Sequence, residues 1–225
     1  MKEKTFLSRA QSIILPPFET SSFKLIHLRD IRKKEVTDAT KLLDKPSQDY
    51  SNRYLSENDR NHSIIIHAIL RHHLSSLLKC KANQLAIKRD KSGKPYIEGY
   101  PLHFNLSHCK EYGFIGFHPT FPIGVDIESI KRSPDLLKSP ILTSSERMQI
   151  LNSSNPTNSF YKYWCGKEAL LKAIGTGFFQ HPLPFFDQLN STDTDSEFFH
   201  SENLKVFIYP YKLEEHMLAA CLKSN

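Results

Sequence analysis

Asp126 and Glu128 stand two positions apart in PIGVDIESI (122–130), flanked by Val and Ile in place of the Gly and Ser that usually surround acids in loops. Side chains two apart on a strand share one face, so the pair projects together while Val125 and Ile127 enter the core behind it. Two close carboxylates repel unless a cation lies between them, and oxygen-only ligands of this kind suit Mg²⁺. A solvated strand face carrying two unrelated acids fits the same spacing. Further along, WCGKEALLK (164–172) places Glu168 and Lys172 four apart on one helix face, with Trp164 a turn back. In isolation that pair reads as an ordinary helix-stabilising contact of about 0.2–0.5 kcal/mol beside a core tryptophan. FNLSH (104–108) adds Ser107 and His108, which alone read as a turn hydroxyl and a partly buried imidazole.

The hydrophobic pattern predicts the elements that must hold these groups. SSFKLIHLRD (21–30) alternates as a strand, and NHSIIIHAILRHHLSSLLK (61–79) carries Ile66, Ile69, Leu70, Leu74 and Leu77 at helical spacing. RDKSGKPYIEGY (89–100) reads as a turn. PLHFNLSH (101–108), YGFIGFHP (112–119) and FPIGVDIESI (121–130) read as strands, the second with Gly at close approaches. In the Pro- and Ser-rich stretch 131–159, Thr143 and Glu146 fit a capping box that starts a short helix. FYKYWCGKEALLKAIGTG (160–177) reads as a helix ending at Gly175 or Gly177, followed by closing strands over 203–211 and 216–223. Strand, long helix and strands recur in each half, which predicts an α+β chain of two lobes, residues 1–120 and 121–225.

Composition narrows the class. Hydrophobic residues at 39% and charged residues at 24% describe a soluble globular chain of 225 residues. The first apolar run, Ile13 to Leu15, is too short for a signal peptide and no later stretch approaches a membrane span, so the expected location is the cytoplasm, with no membrane partner. Cys80, Cys109, Cys165 and Cys221 are scattered singly, which predicts reduced thiols in preference to a disulfide framework or a zinc site. A net charge of +6 and a pI near 9.0 point to an anionic partner: nucleic acid, an acidic protein or a phosphorylated small molecule.

Taken in order, GKPY (93–96), FNLSH (104–108), GVDIE (124–128) and WCGKEALLK (164–172) resemble the motifs of the 4′-phosphopantetheinyl transferase superfamily. They are most similar to its larger, single-chain, surfactin-synthetase-activating branch, over residues 45–190. The resemblance implies an enzyme that moves the phosphopantetheine arm of coenzyme A onto a serine of an acyl or peptidyl carrier protein and releases adenosine 3′,5′-bisphosphate. It implies two similar lobes, a pseudo-dimer in which each small antiparallel sheet packs with a long helix, with coenzyme A in the cleft between them, working as a monomer. On the family pattern Asp126, Glu128 and Glu168 hold Mg²⁺ against the pyrophosphate. Glu168 is also the general base for the incoming serine, and Lys172 faces the same phosphates and stabilises the leaving charge. Lys94, Pro95, Ser107 and His108 match positions that hold the adenosine end, its 3′-phosphate in particular.

The chain departs from the pattern at His62, nine positions before Arg71, where the family usually has Arg, and at Ser47 and Tyr50, where it has Lys. His62 is therefore expected at the 3′-phosphate pocket, with Lys45, Arg53 or Arg60 supplying the missing charge. Cys109 stands where Ser is common, and 131–159 matches poorly. Two rival readings remain: a Mg²⁺-dependent phosphohydrolase, whose acids would activate water, and a nucleic-acid-binding module, prompted by the pI and by Tyr112, Phe114 and Phe117 on one strand. The basic residues form no stripe, so the expectation is no nucleic-acid partner.

Overall fold

The computed structural model describes residues 5–15, 18, 20–130, 141–175, 199–201 and 206–223, with the backbone alone for 199–201 and 206–211. The strands are β1 (Ala10–Ile13), β2 (Ser22–His27), β3 (Ile87–Arg89), β4 (Pro95–Ile97), β5 (His103–His108), β6 (Tyr112–His118), β7 (Ile123–Ser129), β8 (Phe199–Ser201), β9 (Val206–Leu213) and β10 (His216–Lys223). The helices are α1 (Lys33–Thr40), α2 (Lys45–Ser51), α3 (Glu57–Leu78), α4 (Ser144–Asn152) and α5 (Pro156–Ile174). The chain is α+β, and among the described residues every strand pairing is antiparallel.

Two four-stranded sheets, ordered β1-β2-β6-β5 and β7-β10-β9-β8, lie face to face between the two long helices. Alternation along each strand explains the layering. In the first sheet Ile26, Ile115 and Phe117 turn towards Ile65, Ile66 and Ile69 of α3, while Phe23, Leu25 and Phe114 turn the other way and meet Val125, Ile127 and Leu218 of the second sheet. The far side of the second sheet, Met217, Ala219 and Cys221, packs under Cys165, Ala169 and Ala173 of α5. Gly116 permits the contact between sheets: a Cβ there would lie 2.7 Å from Val125 Cγ1. Asn105 of β5 ties the sheets together by accepting the Val125 amide on its side-chain oxygen at 3.0 Å.

The helix ends follow local chemistry. Ser56 caps α3, and Asn155 caps α5 with Pro156 at its first position. Asn155 and Pro156 start α5 four residues before the expected 160, and Gly175, in the left-handed region at φ 81°, stops it at the earlier of the two glycines. The capping box of Thr143 and Glu146 forms as expected. The stretch 89–100 is more ordered than a turn, because β3 and β4 make a short hairpin around Asp90–Lys94. Residues 131–140, Gly177 and 203–205 lie outside the described residues. Among the described residues no helix is long and apolar enough to cross a membrane.

Candidate active site

Gly124 decides where α5 sits. A Cβ at that position would fall 1.9 Å from the Ala169 carbonyl oxygen and 2.4 Å from the Ala173 amide nitrogen, so the helix backbone rests directly on the strand. The same close seating brings Glu168 and Lys172 over Asp126 and Glu128, which share the Gly124 face of β7. Lys172 Nζ donates to Asp126 Oδ1 at 2.7 Å and to Ser107 Oγ at 3.0 Å, and Ser107 Oγ donates to the same Asp126 oxygen at 2.8 Å. On the strand Asp126 is 3% exposed and Glu128 half-buried, and above them on α5 Glu168 is 8% exposed.

Burial shapes the protonation of the cluster. Desolvation, with the charge of Asp126 added, raises both Glu128 and Glu168 to about 7, against the pull of Lys172. Trp164 donates to Glu128, so this tryptophan, stacked on Phe160 at 5.9 Å, belongs partly to the site. Burial alone would lower Lys172, but Asp126 and Glu168 more than offset it and its pKa is raised. The cluster fits a divalent cation on one observation: Asp126 Oδ2 is buried and has no hydrogen-bond partner. The donors are oxygen-only, which suits a hard cation. Among the described residues the three carboxylates are not all within 4.8 Å of one another, and Lys172 supplies the countercharge to Asp126.

Two adjoining cavities of about 250 and 270 Å³ share Tyr50, Arg89, Pro95 and Leu106. One reaches Lys94, Glu168 and Lys172. The other reaches Ser47, Arg53 and His67. Lys94 is engaged across the molecule, donating to the Ala173 carbonyl at 2.7 Å at the end of α5, and burial pushes its pKa down to about 8. Ser107 joins the carboxylates. His108 lies beside Tyr54, ring centroids 6.3 Å apart, and burial, then the neighbouring His62, lower its pKa. His62 is half-buried against the Leu28 backbone and lines neither cavity. Arg71, the landmark for His62, is a buried structural group: both terminal nitrogens donate to the Leu85 carbonyl at 2.9 Å, and it pairs with Asp44.

Comparison with known proteins gives the family. Residues 31–119 match the family model for the N-terminal part of a 4′-phosphopantetheinyl transferase, and 122–221 match that of the 4′-phosphopantetheinyl transferase superfamily. The chain is 31% identical over 185 residues to the L-aminoadipate-semialdehyde dehydrogenase-phosphopantetheinyl transferase of Schizosaccharomyces pombe, covering 70% of this chain and 69% of that one. It belongs to the 4′-phosphopantetheinyl transferase superfamily. The 4′-phosphopantetheinyl transferase of Aneurinibacillus migulanus is 27% identical over 75% of this chain and 71% of its own. HetI of Nostoc sp., also a 4′-phosphopantetheinyl transferase, is 26% identical over 79% and 77%. Against three further relatives the match spans 50%, 54% and 60% of their length.

Within this transferase family, coenzyme A is the substrate and a divalent metal generally takes part. Of the three cations expected to replace the missing Arg, Arg53 lines a cavity, Lys45 pairs with Asp49 at the surface, and Arg60 donates to the Tyr54 carbonyl at 3.1 Å. Sequence reasoning missed Arg89, whose guanidinium lies 4.3 Å above the Tyr50 ring in the shared wall of both cavities. Its position four residues before Gly93 was the available signal. The aromatics that prompted the nucleic-acid reading, Tyr112, Phe114 and Phe117, are buried in β6 and offer no stacking platform.

Proposed function

We propose that this chain transfers the phosphopantetheine arm of coenzyme A to a serine of an acyl or peptidyl carrier protein, with Asp126, Glu128, Glu168 and Lys172 as its reacting centre. The observation that carries the assignment is the buried Asp126, one oxygen shared by Lys172 and Ser107 and the other without a partner. The lobes are residues 1–120 and 121–225, a pseudo-dimer in which α3 and α5 back the two sheets, and coenzyme A lies along the paired cavities beside Pro95. The enzyme works as a monomer in the cytoplasm without nucleic acid.

The chain's own groups divide the work. Glu168, poised near 7, is suited to accept the proton of the serine hydroxyl at neutral pH, where both of its forms are populated. Lys172 keeps its charge and stabilises the negative charge that develops on the departing phosphate. Lys94, Ser107 and His108 border the path of the coenzyme from the cavities to Asp126, with Arg89 and Arg53 as cations towards the adenosine end. Mg²⁺ held by Asp126, Glu128 and Glu168 would neutralise the pyrophosphate. The test is mass spectrometry of a panel of unmodified carrier proteins incubated with the enzyme, coenzyme A and Mg²⁺. A gain of one phosphopantetheine on a serine is expected; release of free phosphopantetheine with no carrier modified would instead favour a hydrolase.

A further inference from the structure

A second group of ligand-type side chains lies apart from the carboxylate cluster, where a turn of the first sheet meets the start of β10. Cys109 and Glu111 sit between β5 and β6, and His216 opens β10. The Cys109 sulfur, a Glu111 carboxylate oxygen and a His216 ring nitrogen all lie within 4.8 Å of one another, the one such trio among the described residues. His216 is 1% exposed. Its Nε2 is 2.9 Å from Glu111 Oε2, while Nδ1 is buried without a partner.

The backbone around the trio is fixed. The Cys109 amide donates to the Tyr112 carbonyl at 2.9 Å, the Leu28 amide donates to the Glu111 carbonyl at 2.9 Å, and the Ile130 amide donates to the Glu215 carbonyl at 2.7 Å. Tyr112 packs edge-on against the His216 ring, centroids 4.8 Å apart. Three donors held this way by rigid elements are arranged in advance for a ligand common to all of them.

We propose that Cys109, Glu111 and His216 form a binding site for a Zn²⁺-type cation that staples the first sheet to the second. Thiolate, imidazole and carboxylate together suit Zn²⁺ in tetrahedral coordination, with water as the fourth ligand, and do not suit Mg²⁺. Binding releases the Cys109 thiol proton to solvent and moves the imidazole proton from Nε2, which takes the metal, to Nδ1. Arg29, 3.7 Å from Glu111 Oε1, adds a positive charge beside the carboxylate while the other oxygen turns to the metal. Glu111 and His216 are 105 residues apart in the chain, so their linkage closes a long loop and favours the folded state.

The probe is Co²⁺ added to the full-length, metal-stripped, reduced protein in excess Mg²⁺, which occupies the oxygen-only cluster. The expected result is a near-ultraviolet thiolate-to-cobalt charge-transfer band with the visible bands of tetrahedral cobalt, bleached by one equivalent of Zn²⁺ and lost in Cys109→Ser. In thermal unfolding, Zn²⁺ should raise the Tm of the wild type and leave that of Cys109→Ser unmoved, while transfer activity without Zn²⁺ stays the same in both. No charge-transfer band in the wild type, or a band that survives Cys109→Ser and so arises from another thiol such as the exposed Cys80, overturns the site. Should Cys109→Ser fold poorly, X-ray absorption of the zinc-loaded wild type decides: one sulfur among nitrogen and oxygen neighbours is expected, and a sulfur-free shell refutes the proposal.

Discussion

Replacing Gly124 by Ala should pull the two halves of the reacting centre apart. The new Cβ would stand 1.9 Å from Ala169 O and 2.4 Å from Ala173 N, backbone atoms that no rotamer change can move aside. Restoring an ordinary separation of about 3.4 Å requires α5 to lift by roughly 1.5 Å. Glu168 and Lys172 adjoin Ala169 and Ala173 and must move with them. Asp126 and Glu128 stay with β7, which is paired to β10 and tied through Val125 to Asn105. A misplacement on the order of 1 Å costs roughly 10²-fold in rate, and overpacking of this kind costs about 1–3 kcal/mol of stability. For a chain of this size that is a fall in Tm of roughly 2–4 °C per kcal/mol. The assay is kcat/KM for carrier modification beside a circular-dichroism melt. Gly124→Ala should remain folded, melt lower and lose about two orders of magnitude in kcat/KM; a variant within about threefold of wild type would refute the claim that close seating of α5 positions the acids.

Three further outcomes follow from the geometry. In chelator, stability should fall as pH rises from 4.5 towards about 7, because Glu128 and Glu168 retain protons in the folded state that the unfolded chain has already released. Buried His67, held down to about 4, acts in the opposite direction between that value and 6.5. The deciding quantity is therefore the difference in urea-unfolding free energy between wild type and Glu168→Gln across that range, and parallel curves would contradict the assignment. Arg89→Ala should raise the Michaelis constant for coenzyme A by roughly tenfold, the scale of one charge-assisted contact to a phosphate, and leave that for the carrier unchanged; equal rises in both would point to a general loss of structure. His62 lines neither cavity, so His62→Arg should leave the preference for coenzyme A over dephospho-coenzyme A within about twofold of wild type, well short of the roughly tenfold that a charge-assisted hydrogen bond is worth. A widening of roughly tenfold would place His62 at the phosphate.

What could be read from the chain was what local pattern encodes. The two long helices, the strands β2, β5, β6, β7, β9 and β10 and the shared face of Asp126 and Glu128 follow from periodicity, and the caps at Thr143 and Gly175 from side-chain and backbone chemistry, whereas the short β1, β3, β4 and β8 went unread. The motif order singled out Asp126, Glu128, Glu168 and Lys172 as the proposed reacting centre, but not why they are buried, since that depends on Gly124 meeting α5 some forty-five residues later in the chain. Asn105 looked like part of a strand motif, and its role as the tie between sheets required knowing that β5 and β7 are neighbours. Arg89 on Tyr50, and the cysteine, glutamate and histidine trio, are likewise pairings across long sequence separations. For Cys109 the absence of a nearby second cysteine argued against a metal, although the ligand-type side chains beside it are Glu111 and His216. The helices α1 and α2 went unread because they are short and polar, and Asp44 and Pro46, which start α2, gave the one local sign of it.

The central claim is that a buried Asp126, with Glu128, Glu168 and Lys172, carries out divalent-cation-dependent transfer of phosphopantetheine. Its most direct test is intact-mass spectrometry of an acceptor carrier, followed in time with coenzyme A and Mg²⁺, for the wild type and for Asp126→Asn shown to be folded by its melt. The wild type should add one phosphopantetheine to the carrier serine in a reaction abolished by chelator, and Asp126→Asn should be slower by roughly 10²–10³, as for loss of a charge-stabilising group. Chelator-resistant transfer, or an Asp126→Asn variant retaining more than about a tenth of the wild-type rate, would contradict it.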